Sequence, residues 1–566
     1  MIAPAVSHED APTSTCAPST SSTANWAPLN GRTAVVVGAG PAGCTLAMYL
    51  ARSGWKVQVY ERRPEPGPAN TSRQRSWVLA MYPRGIRPVN EVAQVPLLAE
   101  RAYKGLVLKP AKPNSKPIVL ERTGVLMDRT LLATSLLDAA RAQYSSRVSF
   151  TFNAALSDVD LTAKAATFAS AAATANVEAG KELVAAVAGS SSNSAGSTMA
   201  VAGEQQQQYR AQYDLLVGAD GSSSTLRSLL TEALPGQFET EVLSPGTGCY
   251  KSVYGLPPVP EVEAWAPDSN TPRDQRVQGE FFFFLSGGTK GMMSMCRDID
   301  GNYCGYLAGN AQLFAELKTR EDYLAVLPQA GPQLPAAWLP LIADRMMEAP
   351  LSTFPTMRSL SRFWAPGGVV LVGDAAHTVT PALGQGLNSA LQDCELLAAE
   401  LAAAPSLDAG GIDAAIRRFS ESRAPEVRAL QELELLQGSS LSPLGRTSDP
   451  AKMLALLVRK WIVIHYSGLA LLGTVVATAQ AANAAKRRRE GKETPAVSRT
   501  DRLAEQVEGS YVRDPPMYEL LKAHMNYSDM LRRVWGMAAL GSAGTFAILY
   551  GLVSGAALLA SRVLGA

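Results

Sequence analysis

The chain has 566 residues, 18% of them charged and 47% hydrophobic, and a formal net charge of +2. That length holds two or more domains, the charge is low for a purely soluble enzyme, and the near-neutral balance gives no reason to expect a nucleic-acid partner. Its six cysteines, Cys16, Cys44, Cys249, Cys296, Cys304 and Cys394, are scattered, with no CxxC metal site or disulfide framework, and this favours a reducing compartment.

Residues 1–31 read as a disordered N-terminal segment, because the first 28 are rich in Ser, Thr, Ala and Pro. They contain no apolar secretory core and no arginine, so a signal peptide is not expected and a transit peptide has little support. Thr33 to Val37 then forms a buried-strand pattern, followed by Gly38, Gly40 and Gly43 and a helix over Thr45 to Ser53. A second strand, Val57 to Tyr60, ends in Glu61, roughly 20 residues beyond the glycines. This order is the dinucleotide-binding arrangement. Gly38 makes a tight turn, Gly40 lets backbone approach a pyrophosphate, Gly43 allows helix-to-sheet packing, and Glu61 stands where a ribose diol is held.

Ala165 to Gln208, with its GSSSNSAGS stretch and glutamine run, reads as a low-complexity surface insertion with no catalytic content. The strand Leu215 to Val217 leads into Asp220 and Gly221, with a helix start at Ser223 to Thr225. Alone, this could be a capped surface turn. Gly279 to Leu285, Lys290 to Met295 and Tyr303 to Leu307 read as strands of a mixed sheet, and the four phenylalanines of the first must alternate between its faces. Two of them are expected in the core and two are available to line a cavity.

The stretch LVGDAAHTVTPALGQGLNSALQDC, Leu371 to Cys394, follows a strand at Val369 to Val372. Pro381, Gly384 and Gly386 keep the chain out of a regular helix until Leu387, where a helix runs to about Leu401. Its exposed N-terminal N–H groups attract phosphate or other electron-rich groups. His377, in the turn, has no partner at metal-ligand spacing and reads as a local hydrogen-bonding group.

Towards the C-terminus, Trp461 to Ala482 is apolar but interrupted by His465, Ser467 and Gln480, whereas Val534 to Ala560 carries no charge over 27 positions. The latter comfortably spans about 30 Å of hydrocarbon at about 1.5 Å per residue. One or two membrane helices, and hence a lipid bilayer as partner, are therefore expected in the region 436–566. Gly551 and Gly555 stand in small-xxx-small spacing.

Taken together, the three glycine and aspartate elements resemble the para-hydroxybenzoate-hydroxylase-like family of FAD-dependent aromatic-ring hydroxylases over Arg32 to Leu435. Within it the organisation is closest to the kynurenine 3-monooxygenases, on Tyr60-Glu61-Arg62-Arg63, the RSWVLA segment Arg75 to Ala80 ahead of Arg84-Gly85, Arg129 opening a helix, and Gly384-Gln385-Gly386-Leu387-Asn388 before Asp393-Cys394. The resemblance implies an α/β fold, with a Rossmann-like FAD-binding domain interleaved over 32–435 with a mixed-sheet substrate domain centred on about 240–350. It also implies FAD contacts at Gly38, Gly40, Ala42, Gly43, Glu61, Arg62, Arg63, Ala80, Arg129 and Leu156. Asp220 and Gly221 would serve both FAD and NADPH or NADH, and Gly373, Asp374, Pro381, Gly384, Gln385, Gly386, Leu387 and Asn388 would lie near the flavin.

The substrate of the kynurenine enzymes is read by an arginine and two tyrosines, and here the pattern departs. Tyr103 takes the arginine's place, Arg101 lies two residues away, and Ala424 falls where the late-helix tyrosine would be. Arg101, Tyr103 and Asn388 are the substrate-pocket candidates. No side chain is assigned as acid or base, since in this family a flavin hydroperoxide made from oxygen carries the hard step. Three functions stay open: a membrane-anchored monooxygenase of an aromatic or small apolar substrate, a flavin-dependent epoxidase or reductase of a lipid, quinone or isoprenoid, and a non-catalytic flavin-binding protein. An intracellular membrane is the expected location.

Overall fold

The computed structural model describes residues 31–67, 78–95, 98, 102–109, 118–170, 208–244, 248–263, 281–284, 290–298, 301–441, 457–458, 461–462 and 526–543, with backbone alone at 78, 102–109, 118–123, 263, 281–284, 382 and 437–441. A six-stranded sheet forms the first layer, in the order Trp364–Ala365, Val369–Leu371, Leu215–Gly218, Thr33–Val37, Lys56–Tyr60, Val148–Thr151. All pairings are parallel except the edge strand Trp364–Ala365. Parallel sheets are covered on both faces, and Ala34, Val35 and Val36 are fully buried. The helices Pro41–Arg52, Arg129–Tyr144 and Gly386–Ala402 share its core. The first helix starts at Pro41 rather than Thr45, since proline's missing N–H is harmless in a first turn.

An eight-stranded sheet forms the second layer, in the order Ser352–Thr353, Gly248–Leu256, Tyr303–Asn310, Met292–Arg297, Phe281–Phe284, Ala102–Lys109, Ile118–Asp128, Val78–Met81. Phe281–Phe284 pairs parallel with Ala102–Lys109 and antiparallel with Met292–Arg297, which makes the sheet mixed. The expected substrate sheet thus also takes three strands from before residue 130. Cys249, Val253, Met293, Met295, Tyr303 and Leu307 share a core with Leu327, Trp338 and Ile342 of the helices at 320–348.

A three-stranded antiparallel sheet, Ala154–Asp160, Ala165–Ser170 and Gln208–Gln212, stands at the side. Ala165 therefore lies in a strand and not in the insertion predicted from there. Alanines disguise this strand as low complexity, but Phe168 anchors it by stacking on Tyr60, ring centroids 3.9 Å apart. Residues 171–207 lie outside the described residues.

Among the described residues no helix is long and apolar enough to cross a membrane, so the membrane helix expected from the sequence has no support in the described structure. The span predicted from Val534 is described only to residue 543, in a helix over 527–543, and the one predicted from Trp461 only at Trp461 and Ile462. Tyr527, Met530, Val534 and Ala538, one stripe of that helix, form a core with Leu430, Leu433, Leu436, Val379 and Leu383. The first turns of the predicted span are thus spent on protein packing. The remainder of both spans, and residues 1–30, lie outside the described residues.

Candidate flavin and substrate site

The three motifs meet at one edge of the parallel sheet because their strands are neighbours. Ala219 N–H donates to Val37 O, and Val372 N–H donates to Gly218 O. Gly38 has φ +103°, and a Cβ there would lie 2.5 Å from Ala219 O, so only glycine makes this turn beside its neighbour strand. A Cβ on Gly43 would lie 1.9 Å from Gly38 O. At Gly40 it would meet nothing within 4 Å. The helix Pro41–Arg52 that begins there has no side-chain cap, so open space lies against unpaired N–H donors, as a pyrophosphate requires. Ala42, in the first turn, belongs to the same helix start. Glu61 is fixed beside this turn by Ala39 N–H at 2.9 Å and Arg63 N–H at 3.0 Å. Arg62 and Arg63 are exposed, whereas Leu156 is buried in the main core.

Asp220 caps the helix Thr225–Ala233 through Oδ2, which accepts from Thr225 N–H at 2.8 Å and Leu226 N–H at 3.2 Å. Its Oδ1 is buried without a hydrogen-bond partner among the described residues, and burial pushes its carboxyl pKa up. Gly221 follows with φ +82°. Arg227 joins this turn to the next motif: its guanidinium donates to Ser222 O at 2.6 Å and to Ala375 O at 2.9 Å.

At the second aspartate turn Gly373 has φ +59°, and a Cβ on it would press to 2.9 Å from that of Ala390. No described donor reaches the Asp374 carboxylate, and burial raises its pKa against the opposing influence of His377, Arg129 and Arg227. Arg129, exposed at the start of its helix, is near enough to this turn for its charge to act on Asp374. It is placed there by Asp128, whose carboxylate accepts from Thr130 and Leu131 N–H and caps the helix Arg129–Tyr144. Asp374 and Asp220 thus offer acceptors with no protein donor, in a setting suited to the hydroxyls of an FAD ribityl chain and ribose. With the cradle at Gly40, these residues fit FAD.

A buried ionic cluster holds the turn from behind. Asp393 accepts from Gly373 N–H at 2.8 Å and from Arg423 Nε at 2.6 Å, and lies 2.6 Å from His377 Nε2. Arg423 also donates to Ser389 Oγ at 2.7 Å. Burial alone would raise the Asp393 pKa, but His377, Arg423 and the Gly373 hydrogen bond overcome it and hold it at about 2. His377 is thus the hydrogen-bonding group the sequence suggests.

Pro381 opens a short 3-10 turn, Pro381–Leu383, and Gly384 follows with φ +63°. Gln385 is fully buried and accepts from the Tyr527 hydroxyl at 3.2 Å; Gly386 and Leu387 open the next helix. Arg84 lies over the Tyr527 ring, 4.3 Å from its centroid, and donates to Gln392 at 2.9 Å. Asn388, a candidate for both cofactor and substrate, accepts from Tyr82 N–H at 2.8 Å and donates to Ala80 O at 3.0 Å and Gly384 O at 2.9 Å. It ties the strand Val78–Met81 to the flavin loop.

The eight-stranded sheet forms the opposite wall. Alternation along Gly248–Leu256 and Tyr303–Asn310 places Tyr250, Ser252 and Tyr306 opposite the helix-packed residues. Tyr250 and Tyr306 meet edge to face at 6.2 Å, and burial raises the pKa of both phenols. Tyr254 donates to Asp128 Oδ2 at 3.1 Å, which fixes this wall beside Arg129. Arg101 lies outside the described residues. Tyr103, described by its backbone, pairs with Gly124 on the strand Ile118–Asp128. Ala424 packs against the main core.

Sequence reasoning missed Arg227, Asp393, Arg423 and Tyr527 as parts of the site. Arg227 and Asp393 lie at short, readable distances after their motifs, but the partners of Arg423 and Tyr527 are remote in sequence.

A family model for the FAD binding domain matches residues 337–433, and one for FAD dependent oxidoreductases matches residues 33–231. A kynurenine 3-monooxygenase of Salinispora tropica is 30% identical over 461 residues, covering 76% of this chain and 86% of that protein. Another, of Xanthomonas axonopodis pv. citri, is 27% identical over 466 residues, covering 79% and 89%. Among solved structures, the tetrameric form of 2-methyl-3-hydroxypyridine-5-carboxylic acid oxygenase superposes with a TM-score of 0.50 at 19% identity, over 75% of this chain and 96% of that one. This last likeness is one of fold.

Proposed function

The chain belongs to the family of FAD-dependent aromatic-ring monooxygenases that includes kynurenine 3-monooxygenase, and from that premise we propose that it hydroxylates an aromatic substrate with molecular oxygen, using NADPH or NADH as reductant. The observation that carries this reading is the meeting of Gly40, Asp220 and Asp374 at one sheet edge, with free acceptors and an open helix N-terminus. FAD bound there supplies electron transfer from the nicotinamide and the activation of oxygen. The chain's own residues orient and enclose. The helix at Pro41 binds pyrophosphate, Glu61 and Asp374 hold sugar hydroxyls, and Arg129 supplies a cation beside them. Arg227 and Asp393 keep the two aspartate turns in register, and the Tyr250 and Tyr306 wall excludes water.

The phenols of that wall suit an aromatic ring bearing neutral polar groups, and Arg101 is the candidate partner for a carboxylate. Attachment to an intracellular bilayer through the uncharged residues 544–560, with the catalytic part in a reducing compartment, completes the proposal.

The test is oxidation of NADPH and NADH by the full-length protein in detergent, with kynurenine, anthranilate-like and phenolic acids, and quinones. The expected result is bound FAD, substrate-stimulated oxidation and a product heavier by one oxygen. Stimulation by a lipid-like compound alone would overturn the aromatic assignment in favour of an epoxidase or reductase. Asp374→Ala should lower FAD content or anaerobic flavin reduction more than Arg101→Ala does; equal effects would defeat the role given to Asp374. Vesicle flotation with and without residues 544–566 tests the bilayer.

A further inference from the structure

Strands Met292–Arg297 and Tyr303–Asn310 pair antiparallel, and Cys296 lies directly opposite Cys304. Their sulfurs are 3.4 Å apart, and the residues are 2% and 0% exposed. Directly opposed residues on antiparallel strands have Cα atoms about 4.5 to 5.5 Å apart, inside the roughly 4.4 to 6.8 Å span that disulfides bridge. Closing the sulfurs to about 2.05 Å therefore requires small side-chain movements and leaves the strand pairing in place.

The location gives this pair a chemical context. Both cysteines are on the side of the sheet turned away from the helices at 320–348, in a small cluster with Tyr82 and Leu126, against which Ala80 and Tyr254 pack. The backbones of Tyr82 and Ala80 are the ones Asn388 holds to the flavin loop. A single layer of residues thus separates the sulfurs from the loop beside which oxygen would be reduced. Reagents reach so buried a pair only through local opening, which favours a molecule as small as hydrogen peroxide over glutathione-sized or protein-sized ones.

We propose that Cys296 and Cys304 are a modification site, a dithiol that hydrogen peroxide converts to an intramolecular disulfide. One sulfur attacks a peroxide oxygen, the O–O bond breaks, and a sulfenic acid and one water form. The second sulfur displaces the hydroxyl as a second water, and the S–S bond closes. Two thiols and one peroxide give one disulfide and two waters; the sulfurs lose two electrons and the peroxide gains them. The internal source of peroxide, oxygen reduction without substrate, rests on the proposed function. The site itself does not, because added peroxide serves equally.

The experiment uses the full-length protein, reduced, desalted and exposed to a few equivalents of hydrogen peroxide, then denatured, alkylated and digested with trypsin. Cleavage after Arg297 puts the two cysteines on separate peptides, so a disulfide appears as a linked pair that is about 2 Da lighter than the two thiol peptides. The expected result is this linked pair, with Cys249, buried on the opposite face, still fully alkylated. Cys296→Ser should abolish the linked species while retaining FAD and the parent melting temperature. Full alkylation of both cysteines after peroxide, or separate gains of about 32 Da on each, would overturn the proposal. In a parallel arm, peroxide comes only from NADPH and oxygen without substrate. Linkage by added peroxide but not in this arm supports the site and removes only the enzyme itself as the source of peroxide.

Discussion

At the residue scale, the site rests on groups whose chemistry allows no near substitute. A Cβ at Gly40 meets no protein atom, whereas one at Gly43 would overlap Gly38 O. Gly40→Ala should therefore leave the melting temperature of the flavin-free protein within a degree or two and abolish FAD retention, whereas Gly43→Ala should lower both. Calorimetry with flavin absorbance separates the two, and equal losses would remove the ligand role of Gly40. Asp393 has a folded pKa of about 2, below the unfolded value of about 3.9. Its contribution is complete above about pH 4 and is lost as pH falls towards 2, a difference of order 2 kcal/mol. Asp393→Asn should flatten that acid limb and cost about 3 to 5 kcal/mol at neutral pH, because Arg423 keeps a buried charge without its counterion. Urea unfolding at pH 7 and pH 3 reads both effects. The glycines and acids of the motifs were legible in the sequence because each answers to a local steric or charge demand. Arg423 was not, since its partner Asp393 is thirty residues earlier on another helix and only packing joins them.

At the element scale, strands and helices followed apolar periodicity closely: Thr33–Val37 stands where it was read, and the helix read from Leu387 begins at Gly386. The helix over 527–543 shows where that signal stops discriminating. An uncharged apolar run satisfies a bilayer and a protein core equally, and here Val534 and Ala538 meet Leu430 and Leu433. Its first residue, Tyr527, also touches the flavin loop through Gln385. Tyr527→Phe, which removes that hydroxyl, should cost about 1 kcal/mol and weaken FAD retention modestly. Tyr527→Ala, which also empties the space beneath Arg84, should weaken it much more. Unchanged flavin dissociation rates in both variants would disconnect this helix from the loop.

At the scale of the whole molecule, the chain passes repeatedly between the two large sheets. The substrate sheet takes strands from 78–128 and from 248–353, and the flavin sheet from 33–60, 148–151, 215–218 and 364–371. A fragment of 240–350 should therefore show no cooperative melting, because Phe281–Phe284 would lack its neighbour Ala102–Lys109. The sequence indicated that the domains interleave but not how, since strand partners distant in the chain leave no local mark. The side sheet has a different consequence. Ala169 pairs with Gln208, so the chain leaves and re-enters this sheet at neighbouring points, about 5 Å apart. Whatever is spliced between those ends leaves the flavin edge untouched. Replacing 171–207 with a two-residue turn, or with a folded reporter whose own termini are close, should yield an enzyme with parental FAD content, which makes this hairpin a natural socket for biosensor construction.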